Sequence, residues 1–138
     1  MRKLIFSLFA FLVLTNLNAQ VLDPVKCKTR VEKKSDTELV LIMDAKIDNG
    51  WHFYSQNTPD GGALPAVFTF KDTKGNYQLV GKTSEGKYEK HFNDIFEVDE
   101  YFFTKSAQFK QTIKVLNPKL KTIKAELDGQ TCIDGKCI

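Results

Sequence analysis

The sequence predicts an all-β protein, an antiparallel β-sandwich with a small barrel as the competing architecture. Three observations carry this reading. Apolar and polar residues alternate with period two over several stretches, and turn-forming residues punctuate the chain between them. No stretch beyond the N-terminal segment repeats apolar side chains at helical spacing. Alternation of this kind marks half-buried antiparallel strands, and many short strands with frequent turns mark a sandwich or a barrel.

The N-terminal segment stands apart. Arg2 and Lys3 precede the apolar run Leu4 to Leu14, and "LNAQ" at Leu17 to Gln20 offers cleavage after Ala19. That is the layout of a secretory signal peptide over 1–19, with an apolar core short for a membrane span. Cys27 lies too far past the proposed cut to be a lipoprotein cysteine, and no second hydrophobic segment follows, so a soluble exported chain is expected. Residues 20–138 then form one domain of 119 residues, enough for a single core. It holds 18 basic and 17 acidic side chains, a net charge of about +1. No basic tract with interleaved aromatics is present, so nucleic acid is not an expected partner.

The strands follow in order. Cys27 falls in the first, where a buried thiol acting as a small apolar side chain is expected. "ELVLIMDAKI" puts Leu39, Leu41, Met43, Ala45 and Ile47 on one face. "PAVFTF" aligns Ala66, Phe68 and Phe70, and "AQFKQTIKV" aligns Ala107, Phe109, Ile113 and Val115. "TIKAEL" alternates Ile123, Ala125 and Leu127 against Thr122, Lys124 and Glu126. Turn signals separate them: "DNG" from Asp48, "TPDGG" from Thr58, "KGN" from Lys74, "NP" at Asn117 and "DG" at Asp128.

The chain closes on "TCIDGKC", Thr131 to Cys137. Asp-Gly is the preferred two-residue turn of a tight hairpin. With Asp134 and Gly135 as the turn, Cys132 faces Cys137 in a non-hydrogen-bonded pair, with Cα atoms about 4.5 Å apart. Export permits a disulfide there. Such a bridge encloses so short a loop that it adds little to stability. Two readings stay open at this point: a redox-active pair, or a plain hairpin disulfide. Lys136 beside Cys137 would favour its thiolate. Three cysteines in the exported chain leave one without an internal partner. Neither His52 nor His91 stands at metal-ligand spacing, and no metal or other cofactor is expected.

Three stretches together resemble a known family. "GWHFYSQ" (Gly50–Gln56), "FEVDEYFFTKSAQFKQTIKV" (Phe96–Val115) and "CIDGKC" occur in the order found in the N-terminal periplasmic domain of the thiol:disulfide interchange protein DsbD. The resemblance implies an immunoglobulin-like sandwich with a cap loop over a C-terminal cysteine hairpin. It implies a monomeric periplasmic carrier that takes electrons from a membrane-embedded or thioredoxin-like dithiol donor. Exported thiol-disulfide proteins would be the acceptors. By position, Cys132 and Cys137 are the redox pair, with Cys137 the link to the client. The cap maps to Val98–Phe103, where Asp99 and Glu100 match its acidic residues and Tyr101 or Phe102 its shielding aromatic. His52 and Tyr54 match two family tyrosines on a strand facing the site, His52 standing where the family has tyrosine. Without the resemblance, the aromatics on these strands read as ordinary packing. The competing function is a non-enzymatic sandwich module that binds a protein or glycan and carries a structural hairpin disulfide.

Overall fold

The longest alternating stretches pair with one another. Strand β2 (Glu38–Ile47) and strand β8 (Ser106–Val115) run antiparallel in the middle of a four-stranded sheet. Strand β1 (Val25–Lys33) flanks β2, and strand β5 (Tyr77–Glu85) flanks β8. This is a computed structural model, and it describes residues 21–138, so the expected signal peptide lies outside the described residues. Among the described residues there is no helix, and every strand pair is antiparallel.

The second sheet is built of shorter strands. It contains β3 (His52–Tyr54), β6 (Glu89–Asn93), β7 (Val98–Phe103), β10 (Thr131–Ile133) and β11 (Lys136–Cys137), in the order β11-β10-β3-β7-β6. A separate ribbon pairs β4 (Val67–Phe70) with β9 (Ala125–Asp128). The core forms where the two sheets face each other. Phe109 of the first sheet packs edge-on against Phe53 and Phe103 of the second, with ring centroids 6.2 and 5.5 Å away. Phe68 of the ribbon closes in at 5.0 Å, and Ala45, Ile47, Ala66 and Ala107 fill the space between. This is the β-sandwich that the alternation predicts, immunoglobulin-like as the resemblance implies.

Where the alternation breaks, a polar group explains it. Strand β5 slips register between Val80 and Ser84, around Gly81 at φ 71°. The inward Gln111 of β8 fills that bulge. It accepts from the Thr83 hydroxyl at 2.8 Å and donates to the Val80, Gly81 and Thr112 carbonyls. A buried amide satisfied on both ends costs little.

Three expectations are corrected. Cys27 is exposed, not buried. It lies opposite Ala45 in the β1–β2 ladder, but β1 is an edge strand exposed along almost its whole length. Partial desolvation and then the Asp23 carboxylate push its thiol above the usual range, which keeps it protonated and slow to react. "TIKAEL" forms a strand only from Ala125 onward, and Ala125 itself is exposed. The Val98–Phe103 segment, expected as a loop, is strand β7 between β3 and β6.

Candidate functional site

The hairpin forms as its turn residues dictate. Asp134 and Gly135 both take positive φ, 45° and 75°, the signature of a type I′ turn. Ile133 pairs with Lys136, and Cys132 with Cys137. One step further, Thr131 and Ile138 exchange both backbone hydrogen bonds, at 3.0 and 2.9 Å. Cys132 and Cys137 therefore form the non-hydrogen-bonded pair between two hydrogen-bonded ones. Their Cα atoms are 4.1 Å apart, and the two sulfurs are joined.

The two cysteines differ sharply in access. Cys132 is 5 % exposed, whereas Cys137 sits on the outermost strand in solvent. On its other side, β10 pairs with β3, setting Cys132 opposite His52 and Thr131 opposite Phe53. The Thr131 hydroxyl donates to the His52 carbonyl at 2.8 Å, which pins the hairpin to the sheet.

Alternation along the strands then sorts the remaining side chains. Phe53 and Phe103 point into the sandwich, so His52, Tyr54, Glu100 and Phe102 share the opposite face with Cys132. Phe102 tilts against His52 at 4.4 Å and meets Tyr54 edge-on at 6.1 Å. Tyr54, Phe102, Cys132 and Ala63 form a second buried cluster, separate from the core. Tyr101 and Asp99 occupy the other face of β7. Tyr101 stacks on Tyr88 at 5.0 Å with the Lys90 ammonium 4.6 Å above its ring, and Asp99 is exposed. Of the residues assigned to the shell from sequence, His52, Tyr54, Glu100 and Phe102 are brought together with Cys132, and Asp99 and Tyr101 are not.

A loop that sequence reading passed over as a turn completes the enclosure. The segment from Ser55 to Ala66 crosses the outer face and sets Ala63 against Cys132 and Phe102. The Ala63 N–H donates to the buried Glu100 carboxylate at 3.3 Å, and the Leu64 N–H to the Gln130 side chain at 2.8 Å. The start of the loop is anchored by Glu85, whose carboxylate accepts from the Ser55 hydroxyl, the Gln56 N–H and the Asn57 amide. Burial, reinforced by the charge and hydrogen-bond acceptance of Glu100, pushes Tyr54 up to about 12. The phenol is therefore a neutral donor beside the cysteine pair over the whole physiological range. Among the described residues no cluster of ligating side chains could hold a metal ion.

The arrangement is a disulfide between one buried and one exposed cysteine, walled by aromatics on a sheet face. A sequence profile described as the N-terminal part of the thiol:disulfide interchange protein DsbD matches residues 18–138. The chain belongs to the DsbD N-terminal family. The N-terminal periplasmic domain of ScsB from Proteus mirabilis has a similar structure, with a TM-score of 0.60 and 16% sequence identity. The match covers 85% of this chain and 43% of that one, so this chain spans less than half the length of that structure. At this identity the likeness concerns the fold alone. A search of the curated proteins finds no match. For the DsbD family member described here, the family and the fold coincide with what the three sequence stretches imply.

Proposed function

We propose that this chain is an exported thiol–disulfide carrier working in the periplasm, with Cys132 and Cys137 as its redox pair. The observation that carries the reading is the asymmetry of the pair: one sulfur enclosed by His52, Tyr54, Phe102 and Ala63, the other open at a sheet edge. A disulfide placed only to stabilise would gain most by spanning a long loop, whereas this one spans a sequence separation of 5. Membership of a thiol:disulfide interchange family points the same way.

The chemistry runs through Cys137 in both directions. A thiolate of a membrane-embedded or thioredoxin-like dithiol donor attacks the Cys137 sulfur, and Cys132 leaves as a thiolate. The donor's second thiolate then displaces Cys137, so the donor ends oxidised and the domain reduced by two electrons. With an exported acceptor, the Cys137 thiolate attacks the acceptor disulfide and one acceptor sulfur leaves as a thiolate. Cys132 then attacks Cys137, reforming the domain disulfide and releasing the second acceptor sulfur. The released thiolates take protons from water. Phe102, His52 and Tyr54 act as a screen over Cys132, and buried Glu100 holds the covering loop and Tyr54 in place.

Trapping tests this assignment. The Cys132→Ser variant retains the attacking sulfur and lacks the resolving one, so it accumulates a mixed disulfide with its partner through Cys137. The Cys137→Ser variant accumulates little. Equal trapping by both, or a disulfide that a thioredoxin-like donor cannot reduce, would return the chain to the reading of a binding module with a structural hairpin.

A further inference from the structure

Cys137 can trade protons with solvent directly, but Cys132 cannot. Cys132 is 5 % exposed and packed among Tyr54, Phe102 and Ala63. Every exchange at the pair makes or uses a Cys132 thiolate, and a bare charge so enclosed is disfavoured. The buried Glu100 carboxylate beside Tyr54 adds like-charge repulsion. A proton must therefore pass between water and this sulfur, and the surrounding groups decide its route. Most of them are already committed. Tyr54 donates to Glu100 and, held up at about 12, keeps its own proton. The Glu100 carboxylate also takes the Ala63 N–H, and Glu89 of β6 takes the Thr104 hydroxyl. Lys136 neighbours Cys137 on β11 and so points to the opposite face, while Asp134 is exposed in the turn. Among the described residues, the titratable side chain left on this face is His52.

His52 lies directly across the β3–β10 ladder from Cys132, and residues so placed have Cβ atoms about 4.5–5.5 Å apart on one face. An imidazole spans that gap to the sulfur. Its ring leans on Phe102 at 4.4 Å, a wall of the Cys132 enclosure, and is only half-buried, so it also meets water. Resting on the carrier reading above, we propose that His52 is the general acid and base for Cys132, relaying its proton to and from water. When a donor thiolate attacks the Cys137 sulfur, the S–S bond breaks and its electron pair passes to Cys132. The His52 imidazolium gives that sulfur a proton, leaving a thiol and a neutral imidazole that takes a fresh proton from water. In the release direction neutral His52 removes the Cys132 proton. The thiolate attacks Cys137 in the mixed disulfide, and the acceptor sulfur leaves with the electron pair. Loading therefore calls on the protonated ring and delivery on the neutral one. Imidazole suits both, since it ordinarily gains and loses its proton between pH 5 and 8.

The test follows the reduced protein reacting with dithiobis(nitrobenzoate) in rapid mixing. Attack by Cys137 releases a first thionitrobenzoate, and attack by Cys132 on the resulting mixed disulfide releases a second. The second step is intramolecular, so raising the reagent until that release no longer speeds up isolates it. In the unaltered protein its rate rises with pH and levels off once the imidazole is neutral. In His52→Phe, which keeps a ring against Phe102, the ratio of second to first rate falls about a hundredfold at pH 7, the usual loss on removing a general base. The remaining rate keeps climbing with pH, because the thiol must then ionise by itself. In His52→Ala the same step is slow, and added imidazole restores it, which a packing role would not allow. Wild-type ratios and profiles in both variants, or a slowed step with the wild-type profile and no rescue, overturn the role of His52 and leave the carrier reading intact. Failure of the unaltered protein to release the second thionitrobenzoate overturns the carrier reading itself.

Discussion

Strands β3 and β7 each show two faces that do different work. On the inner face Phe53 and Phe103 meet Phe109 from the opposite sheet, and atoms of two sheets and a ribbon close around them. On the outer face His52, Tyr54 and Phe102 meet Cys132, Glu100 and a single loop. The residues are similar in kind and adjacent in sequence. What differs is the number of elements that pack against them. The inner face is where apolar burial from two sheets holds the fold together. The outer face has room for the exchange proposed at the Cys132–Cys137 pair. The proposed chemistry and the core packing are separated by a one-residue step along a strand, since neighbouring side chains point to opposite faces.

The largest effect expected from this division is at Phe109, 1 % exposed and central to the inner cluster. Phe109→Ala costs about 3–5 kcal/mol, the range for removing a buried aromatic. Denaturant titration measures the loss, and the fraction that remains folded should exchange disulfides at the wild-type rate. A slowed native fraction would show that the two faces are coupled. A smaller effect is expected at Phe102. Phe102→Ala shifts the denaturant midpoint less than Phe109→Ala does, yet it speeds alkylation of Cys132 in the reduced protein. If alkylation is unchanged, Phe102 does not screen the sulfur, and the loop around Ala63 does so alone.

The smallest effect concerns Tyr54. Its phenol is pushed from an ordinary value of 10.0 up to about 12 in the folded chain. Between those values the unfolded chain has lost this proton and the folded chain keeps it. The contribution is complete below about pH 10 and is lost as pH rises through about 12, so stability falls across that window. Tyr54→Phe removes that part of the fall, which paired denaturant titrations at pH values on either side of the window would resolve. An unchanged slope would place Tyr54 in solvent and break the enclosure on the outer face.

Legibility in the sequence followed the range of the interactions involved. Strand β8 was readable because its alternation is unbroken apart from Gln111, and β2 because one face is apolar from Leu39 to Ile47, although Val40 and Ile42 make the other face apolar too and Ile42 is buried. The hairpin was readable because Asp134 and Gly135 set it locally. Strand β5 was not, since the bulge at Gly81 destroys the period that would reveal it. Strand β6 was hidden by its exposed, polar edge character. The cover over Cys132 was the least readable part. Its two latches join Ala63 to Glu100 and Leu64 to Gln130 across long stretches of chain. A loop sequence such as "TPDGGALPA" announces turns, but it carries no sign of which sheet face it will cross.

The short span of the hairpin also governs how the cysteines find one another. In the unfolded chain, Cys27 lies about 105 residues from Cys132, whereas Cys137 is separated from it by 5. Loop-closure entropy grows with the logarithm of contour length, so the local encounter is favoured by about 2–3 kcal/mol, roughly a hundredfold in collision frequency. The Asp134–Gly135 turn biases the chain further toward that encounter. The third cysteine is thereby kept out of the pairing by polymer statistics before any tertiary structure exists to exclude it.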